Sequence, residues 1–259
     1  MHVLQAERGD GMTFLDFFAG IGGFRRGMEL AGHKCVGFCE FDKFAVASYT
    51  SMHLITDAQR EYLSTLPMKQ RQKEILKEEY RNGEWYADDI RRVDARSLPS
   101  ADCWCFGFPC QDISIAGKRK GLQGNRSGLF YRVINLLGEI AEEKRPGWLF
   151  IENVKNLLGV NGGWDFARLL TELDAAGYDA EWQVLNSSDF GVPQNRERVF
   201  IIGRSRETSG QQVLPFGFIY ESDKRTERRK LANTLKAKSA GYSSVTGIYP
   251  SIEGGVLPK

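Results

Sequence analysis

The sequence predicts a three-layer α/β fold with a mostly parallel central sheet, and three observations carry that expectation. Short apolar runs alternate with stretches of helical spacing along residues 12–202. The runs are nearly continuous in apolar residues, as in strands covered on both faces, rather than strictly alternating. Gly, Asn, Ser and Pro residues punctuate the connections, and strands that alternate with helices in this order pack as helices on a parallel sheet.

MTFLDFF, at 12–18, reads as the first buried strand; it meets the turn AGIGG and then a helix over 24–31. CVGFCEF, at 35–41, is the second strand, followed by a helix over 42–51 with Asp42 as its N-cap. Apolar runs at 101–107 and 148–151 supply further central strands, and 128–140 and 165–175 carry helical spacing. Strands at 181–185 and 198–202 flank a loop rich in Asn, Ser, Gly and Pro. Two regions break the pattern. Residues 57–85 are charged and periodic enough for helices, and read as an insertion within a catalytic and cofactor-binding domain of residues 1–204. Residues 205–259 form a basic tail, read as a partial link to a further region, and no strong internal repeat is present.

Composition narrows the class. Of 259 residues, 42% are hydrophobic and 26% charged, as in an ordinary globular protein. No apolar run approaches the roughly 20 residues that span a bilayer, and the first dozen residues lack a signal-type apolar core, so the expected location is cytoplasmic. The five cysteines are odd in number and lack paired C-x-x-C spacing, and there are only three histidines. Neither a disulfide framework nor a bound metal is expected. The net charge of +2 says little alone, but Lys and Arg cluster at 118–120, 196–206 and 224–238, the local pattern that suits a nucleic-acid partner.

Two groups of residues carry chemistry. The first is Asp16 through Phe24, DFFAGIGGF, where a Gly-rich turn after a strand lets backbone approach a ligand closely. Glu40 ends the second strand, twenty residues after Gly20, where nucleotide-binding α/β folds keep an acid for ribose hydroxyls. The spacing is G-x-G-G and not the dinucleotide G-x-G-x-x-G, which suits a ligand with ribose and adenine but no pyrophosphate, such as S-adenosylmethionine. Asp89 precedes the next element and could accept from an adenine amino group. The second group is GFPCQ, at 107–111, with Cys110 at the carboxyl end of a strand, the ligand-binding edge of open α/β sheets. Pro109 restricts the backbone beside the thiol. Glu152, in ENV, ends a later strand, and Arg196 and Arg198 fall on alternate positions of an extended segment.

A thiol, a carboxyl group and cations beside a methyl donor suggest one reaction. Thiolate addition to C6 of cytosine gives C5 the enamine character needed to attack a sulfonium methyl, and loss of the C5 proton with expulsion of the cysteine restores aromaticity. A protonated carboxyl at ring N3 would relieve the developing charge, and an arginine near the thiol would favour the thiolate.

These residues resemble the cytosine-5 DNA methyltransferase family of bacterial type. DFFAGIGGF, GFPCQDISIAGKRKG, ENV and QNRERVF occur in family order, over roughly residues 12–204. The resemblance implies the Rossmann-like fold of S-adenosylmethionine-dependent methyltransferases, with S-adenosylmethionine held by Phe18, Ala19, Gly20, Ile21, Gly23, Glu40, Phe41, Asp89, Ile90, Gly107, Pro109 and Leu129. It implies catalytic roles for Cys110, Glu152, Arg196 and Arg198. Gln111, Ser114, Lys118 and Arg126 would lie on a loop that closes over a flipped-out base in double-stranded DNA. Restriction–modification is the family-level biological role. The chain departs from the family in showing no target-recognition region with its closing Gly-Asn-Ser motif before Lys259; a second polypeptide supplying that region is one expectation. A tRNA cytosine-5 methyltransferase, and a subunit or fragment inactive without a partner chain, stay open beside DNA methylation.

Overall fold

The computed structural model describes residues 11–109 and 128–207, with the backbone of 246–249 in addition. The fold is α/β with a mixed, mostly parallel sheet. The chain divides into two compact units, Met1–Gly107 with Leu129–Leu149, and Phe108–Gly128 with Phe150–Lys259.

In the first unit the strands are β1 (Thr13–Phe17), β2 (Lys34–Cys39), β3 (Trp85–Ala87) and β4 (Cys103–Gly107), in the order β3-β2-β1-β4. Every pairing among them is parallel, so their carboxyl ends share one edge. β1 and β4 are buried almost throughout, which is why their sequences are continuous apolar runs. Phe17 packs edge-on against Trp104 at 5.2 Å. Helix α1 (Gly23–Leu30) follows β1, and α2 (Lys43–His53) follows β2. Asp42 caps α2, accepting from the backbone N–H of Phe44 and Ala45.

The charged stretch after α2 folds as α3 (Asp57–Thr65), α4 (Met68–Glu74) and a 3-10 turn over Glu78–Arg81. Thr56 and Gln59 form a capping box at the start of α3. Leu63, Ile75 and Tyr80 make a small core that meets α2 through Ala47. Trp85, at the end of the stretch read as an insertion, is already the first residue of β3. Helix α5 (Leu129–Glu139) buries Phe130, Tyr131, Val133, Leu136 and Leu137, an i, i+3, i+4 stripe.

In the second unit the order is β5 (Trp148–Val154), β7 (Glu197–Ser205), β6 (Tyr178–Asn186) and β8 (Thr246–Tyr249). β6 pairs antiparallel with β7 along its whole length, from Tyr178 opposite Ser205 to Asn186 opposite Glu197. Both strands outrun the apolar segments that reveal them in the sequence, because alternate residues are only half-buried and tolerate Asp, Glu and Arg. Helix α6 (Trp164–Ala175) buries Phe166, Leu169, Leu170 and Leu173, and Phe166 meets Trp182 of β6 edge-on at 5.1 Å. No helix among the described residues is long and apolar enough to cross a membrane.

Candidate functional site

At the carboxyl edge of the first unit, β1 stops one residue sooner than its apolar run suggests. Phe18 has φ +55°, a left-handed conformation rare for an aromatic residue, and the turn continues through Gly20 at φ +56° and Gly22 at φ +90°. Ala19 N–H donates to the Cys39 carbonyl and Gly22 N–H to the Ala19 carbonyl, which ties the turn to β2 and closes it on itself. A Cβ at Gly22 would stand 2.3 Å from His53 Nε2 and 3.1 Å from Tyr49 Cδ2. Glycine is therefore required there twice, for its φ and for the close approach of α2. The His53 ring in turn lies 2.9 Å from the Ile21 carbonyl. At Gly20 and Gly23 a Cβ would meet nothing within 4 Å, so that side of the turn is open.

Glu40 is the organising acid. Its Oε2 accepts from Gly20 N–H at 2.8 Å and its Oε1 from Asp42 N–H at 2.7 Å, so one carboxylate joins the glycine turn to the start of α2. Ile21 and Phe41 flank it and are 58% and 71% exposed, large apolar side chains left in solvent beside a polar cradle. The Arg91 guanidinium sits 5.8 Å from the centre of the Phe41 ring. Asp89 caps the 3-10 turn over Ile90–Arg92; its carboxylate takes hydrogen bonds from Arg91 Nε, Nη2 and backbone N–H. The Arg91 guanidinium holds the Asp89 carboxyl below its ordinary range. Ile90 is buried, and Arg132 of α5 donates to the carbonyls of Ile90 and Val93, fixing this turn from behind. Gly107 and Leu129, at the end of β4 and the start of α5, are half-buried.

Asp16 opens the DFFAGIGGF motif, but the sequence reading gave it no role of its own. It lies on β1 with no exposed surface, and neither carboxylate oxygen has a hydrogen-bond partner. Burial pushes its carboxyl well above the ordinary range; the Arg25 backbone and guanidinium temper the shift, and Glu40 adds to it. A buried carboxyl without partners costs stability, and such a cost is commonly retained next to a ligand site. The signal available in the sequence was a lone acid near the end of an apolar strand. Gly22, also missed, lay inside the quoted glycine motif.

In the second unit, Glu152 stands near the end of β5 with its Oε1 2.8 Å from Arg198 Nε on β7. The Phe150 and Phe200 rings meet at a tilt, with centroids 5.9 Å apart. An advance of two residues on β5 thus meets a retreat of two on β7, the relation of antiparallel neighbours. Asn153, buried on the opposite face of β5, donates to the Phe108 carbonyl at 2.8 Å. That bond fixes the chain two residues before Cys110, and Pro109 between them is exposed. Arg196 is exposed just ahead of β7, and its backbone N–H donates to Asn186 Oδ1. Ser187 closes the same loop, its N–H on the Arg196 carbonyl and its hydroxyl on the Gln194 carbonyl. Cys110, Gln111, Ser114, Lys118 and Arg126 lie outside the described residues. Among the described residues no group of three or more His, Cys, Asp or Glu could hold a metal ion.

The site can be compared with known proteins. The sequence model of the family described as C-5 cytosine-specific DNA methylase matches residues 12–248. The type II methyltransferase M2.ScrFI of Lactococcus lactis subsp. cremoris is 35% identical over 221 residues, covering 74% of this chain and 60% of that protein. The type II methyltransferase M.HhaI of Haemophilus parahaemolyticus is 34% identical over 192 residues, covering 74% of this chain and 49% of that protein. The chain thus spans about half to three-fifths of the length of these relatives. Among solved structures, the Dnmt2 methyltransferase of S. pombe superposes with a TM-score of 0.54 at 19% identity, covering 83% of this chain and 58% of that one, a likeness of fold. With its family match running from residue 12 to residue 248, this chain belongs to the C-5 cytosine-specific DNA methylase family.

Proposed function

We propose that the chain transfers a methyl group from S-adenosylmethionine to C5 of cytosine in double-stranded DNA. The observation that carries this reading is the Glu152–Arg198 pair, a carboxyl group and a guanidinium in contact at 2.8 Å beside a strand end whose neighbouring asparagine anchors the approach to Cys110. Family membership supplies the reaction class.

In the first unit the residues fit S-adenosylmethionine. Glu40 would receive the ribose hydroxyls, exchanging part of its hold on Gly20 and Asp42. Ile21 and Phe41 would cover the adenine faces with apolar surface that is otherwise exposed. Asp89 and Ile90 would meet the adenine edge, with Gly107 and Leu129 bordering the pocket. Phe18, Ala19, Gly20 and Gly23 would line the methionine side, above the buried Asp16 carboxyl. Bound there, S-adenosylmethionine supplies an electrophilic methyl on a cationic sulfur.

The chain's own chemistry would begin at Cys110. Its thiolate adds to C6 of a cytosine turned out of the duplex, since C6 cannot be reached inside the stack. Glu152 would hold a proton at ring N3 as charge develops. Arg198 would keep the Glu152 carboxyl in position and stand near the ring carbonyl, and Arg196 would contribute positive charge at the loop. After methyl transfer, loss of the C5 proton to a base releases Cys110 by elimination. Gln111, Ser114, Lys118 and Arg126 would contact DNA around the flipped base. A second polypeptide could supply sequence recognition, restriction–modification is the proposed biological setting, and the cytoplasm is the proposed location.

The test is incorporation of tritiated methyl groups into unmethylated duplex DNA, with tRNA assayed in parallel. Incorporation into DNA, lost in Cys110→Ser with DNA binding retained, supports the reading. Turnover by Cys110→Ser, or incorporation confined to tRNA, overturns it. A chain that is silent on both until a partner is added would be a subunit, the other alternative.

A further inference from the structure

Two ion pairs, not one, tie the end of β5 to the start of β7. Beside Glu152–Arg198, the ammonium of Lys155 lies 3.0 Å from each carboxylate oxygen of Glu197. Lys155 opens the 3-10 turn that follows β5, and Glu197 is the first residue of β7. Side chains alternate along a strand, so Glu197 leaves β7 on the face opposite Arg198. The strand end is held from both faces, by charges of opposite sense.

That arrangement specifies register. If β7 slipped one residue in one direction, Glu197 would stand where Arg198 does, against Glu152, and Arg196 would come to Lys155. Both encounters are between like charges. A slip in the other direction brings Val199 to Glu152 and Arg198 to Lys155, which leaves a carboxylate without its partner and creates another like-charge encounter. A one-residue slip also turns every side chain of the strand to the wrong face, and like charges directly opposite one another are unfavourable. The side chains of Lys155 and Glu197 are 33% and 36% exposed, too open for the pair to matter much as global stabilisation. Its geometry is specific: both oxygens are engaged, so the carboxylate is held in orientation as well as in place.

We propose that Lys155 and Glu197 are positioning residues, whose pair sets the register and angle at which Arg198 meets Glu152. They set the rate of methyl transfer without touching base or cofactor. The proposal rests on the reading of Glu152 and Arg198 given above, so its test has one arm that does not depend on that reading.

The variants are Lys155→Met, Glu197→Gln and the charge-exchanged Lys155→Glu/Glu197→Lys. The first arm follows the Nε–H resonance of Arg198 in the full chain labelled with nitrogen-15, identified by its loss in Arg198→Lys. Both single variants shift it and speed its exchange with water, and the exchanged pair moves it back toward wild type. The second arm measures methyl transfer to duplex DNA. The single variants lose about tenfold in kcat, the scale expected when a reacting group is displaced by less than an ångström. KM for S-adenosylmethionine is unchanged, and adding Lys155→Met to Arg198→Ala costs nothing further. An Arg198 resonance indifferent to both single variants overturns the proposal, whether or not the wild-type chain methylates DNA. A kcat loss that is additive with Arg198→Ala and follows the melting temperature also overturns it, since the pair is then only structural. A responsive resonance in a wild-type chain inactive on DNA supports the positioning and strikes the functional reading instead.

Discussion

Gly22→Ala offers a quantitative test of how the glycine turn after β1 is built. The substitution adds one methyl group, and the structure says what it meets. At φ +90° an alanine pays the left-handed penalty, about 1–2 kcal/mol. Its Cβ would lie 2.3 Å from His53 Nε2, far inside van der Waals contact, and 3.1 Å from Tyr49 Cδ2. The His53 ring is half-buried at the end of α2 and can swing aside, but it then gives up the Ile21 carbonyl, a further loss of about 1 kcal/mol. Residual crowding against Tyr49, which is fully buried, adds up to about 1 kcal/mol. The sum is roughly 2–4 kcal/mol, which for a chain of this size lowers Tm by roughly 4–16 °C. Thermal unfolding followed by circular dichroism reads this directly. His53→Ala removes the nearest obstacle, so in that background Gly22→Ala retains the backbone part and the crowding against Tyr49, about 1–3 kcal/mol. Strict additivity of the two substitutions, or a Gly22→Ala protein that melts within about 1 °C of wild type, would refute this account of the turn.

Three further outcomes follow from the same geometry. Glu40→Gln can keep only one of its two backbone partners in the same orientation, so S-adenosylmethionine affinity falls about tenfold or more by calorimetry while β-sheet content is unchanged. Asp89 is held below its ordinary value of 3.8, so its contribution to stability is present above that value and is lost as the pH falls through the lower folded value. The stability difference between wild type and Asp89→Asn, measured by urea unfolding, is therefore constant from about pH 7 to 5 and shrinks below about pH 4. Cys35 and Cys39 are buried, and burial pushes both thiols up to about 12. They stay protonated at pH 8 and fail to react with an aromatic disulfide reagent until the chain is unfolded; rapid labelling of either in the native protein would contradict their packing.

Much of the fold is legible in the sequence because burial on both faces writes itself as uninterrupted apolar runs, as in β1 and β4. The cap at Asp42 is legible because its chemistry is local. What escaped depends on geometry that composition does not encode. MTFLDFF reads as strand to its end, yet the backbone reverses hand at Phe18, which hydropathy cannot report. β3 is three residues long and attached to a charged stretch, so its pairing with β2 leaves no periodicity to find. Glu40 was found by its spacing from the glycines, but its double hold on Gly20 and Asp42 is visible only in three dimensions. Lys155 and Glu197 are 42 residues apart, and each looks like an ordinary surface charge until the strands bring them together.

The central place of β1 has a consequence for how the chain is made. β1 is flanked by β2 on one side and β4 on the other, and β4 begins about 90 residues after β1 does. At ribosomal rates of about 5–20 residues per second, the open side of β1 waits roughly 5–18 s for its neighbour to emerge. During that interval Phe14, Leu15 and Phe17 belong to an unfinished sheet with one naked edge, the state most open to chaperones and to other nascent chains. Slowing synthesis before Cys103 would lengthen that exposure, and yield of soluble protein would register it before any change in the finished fold.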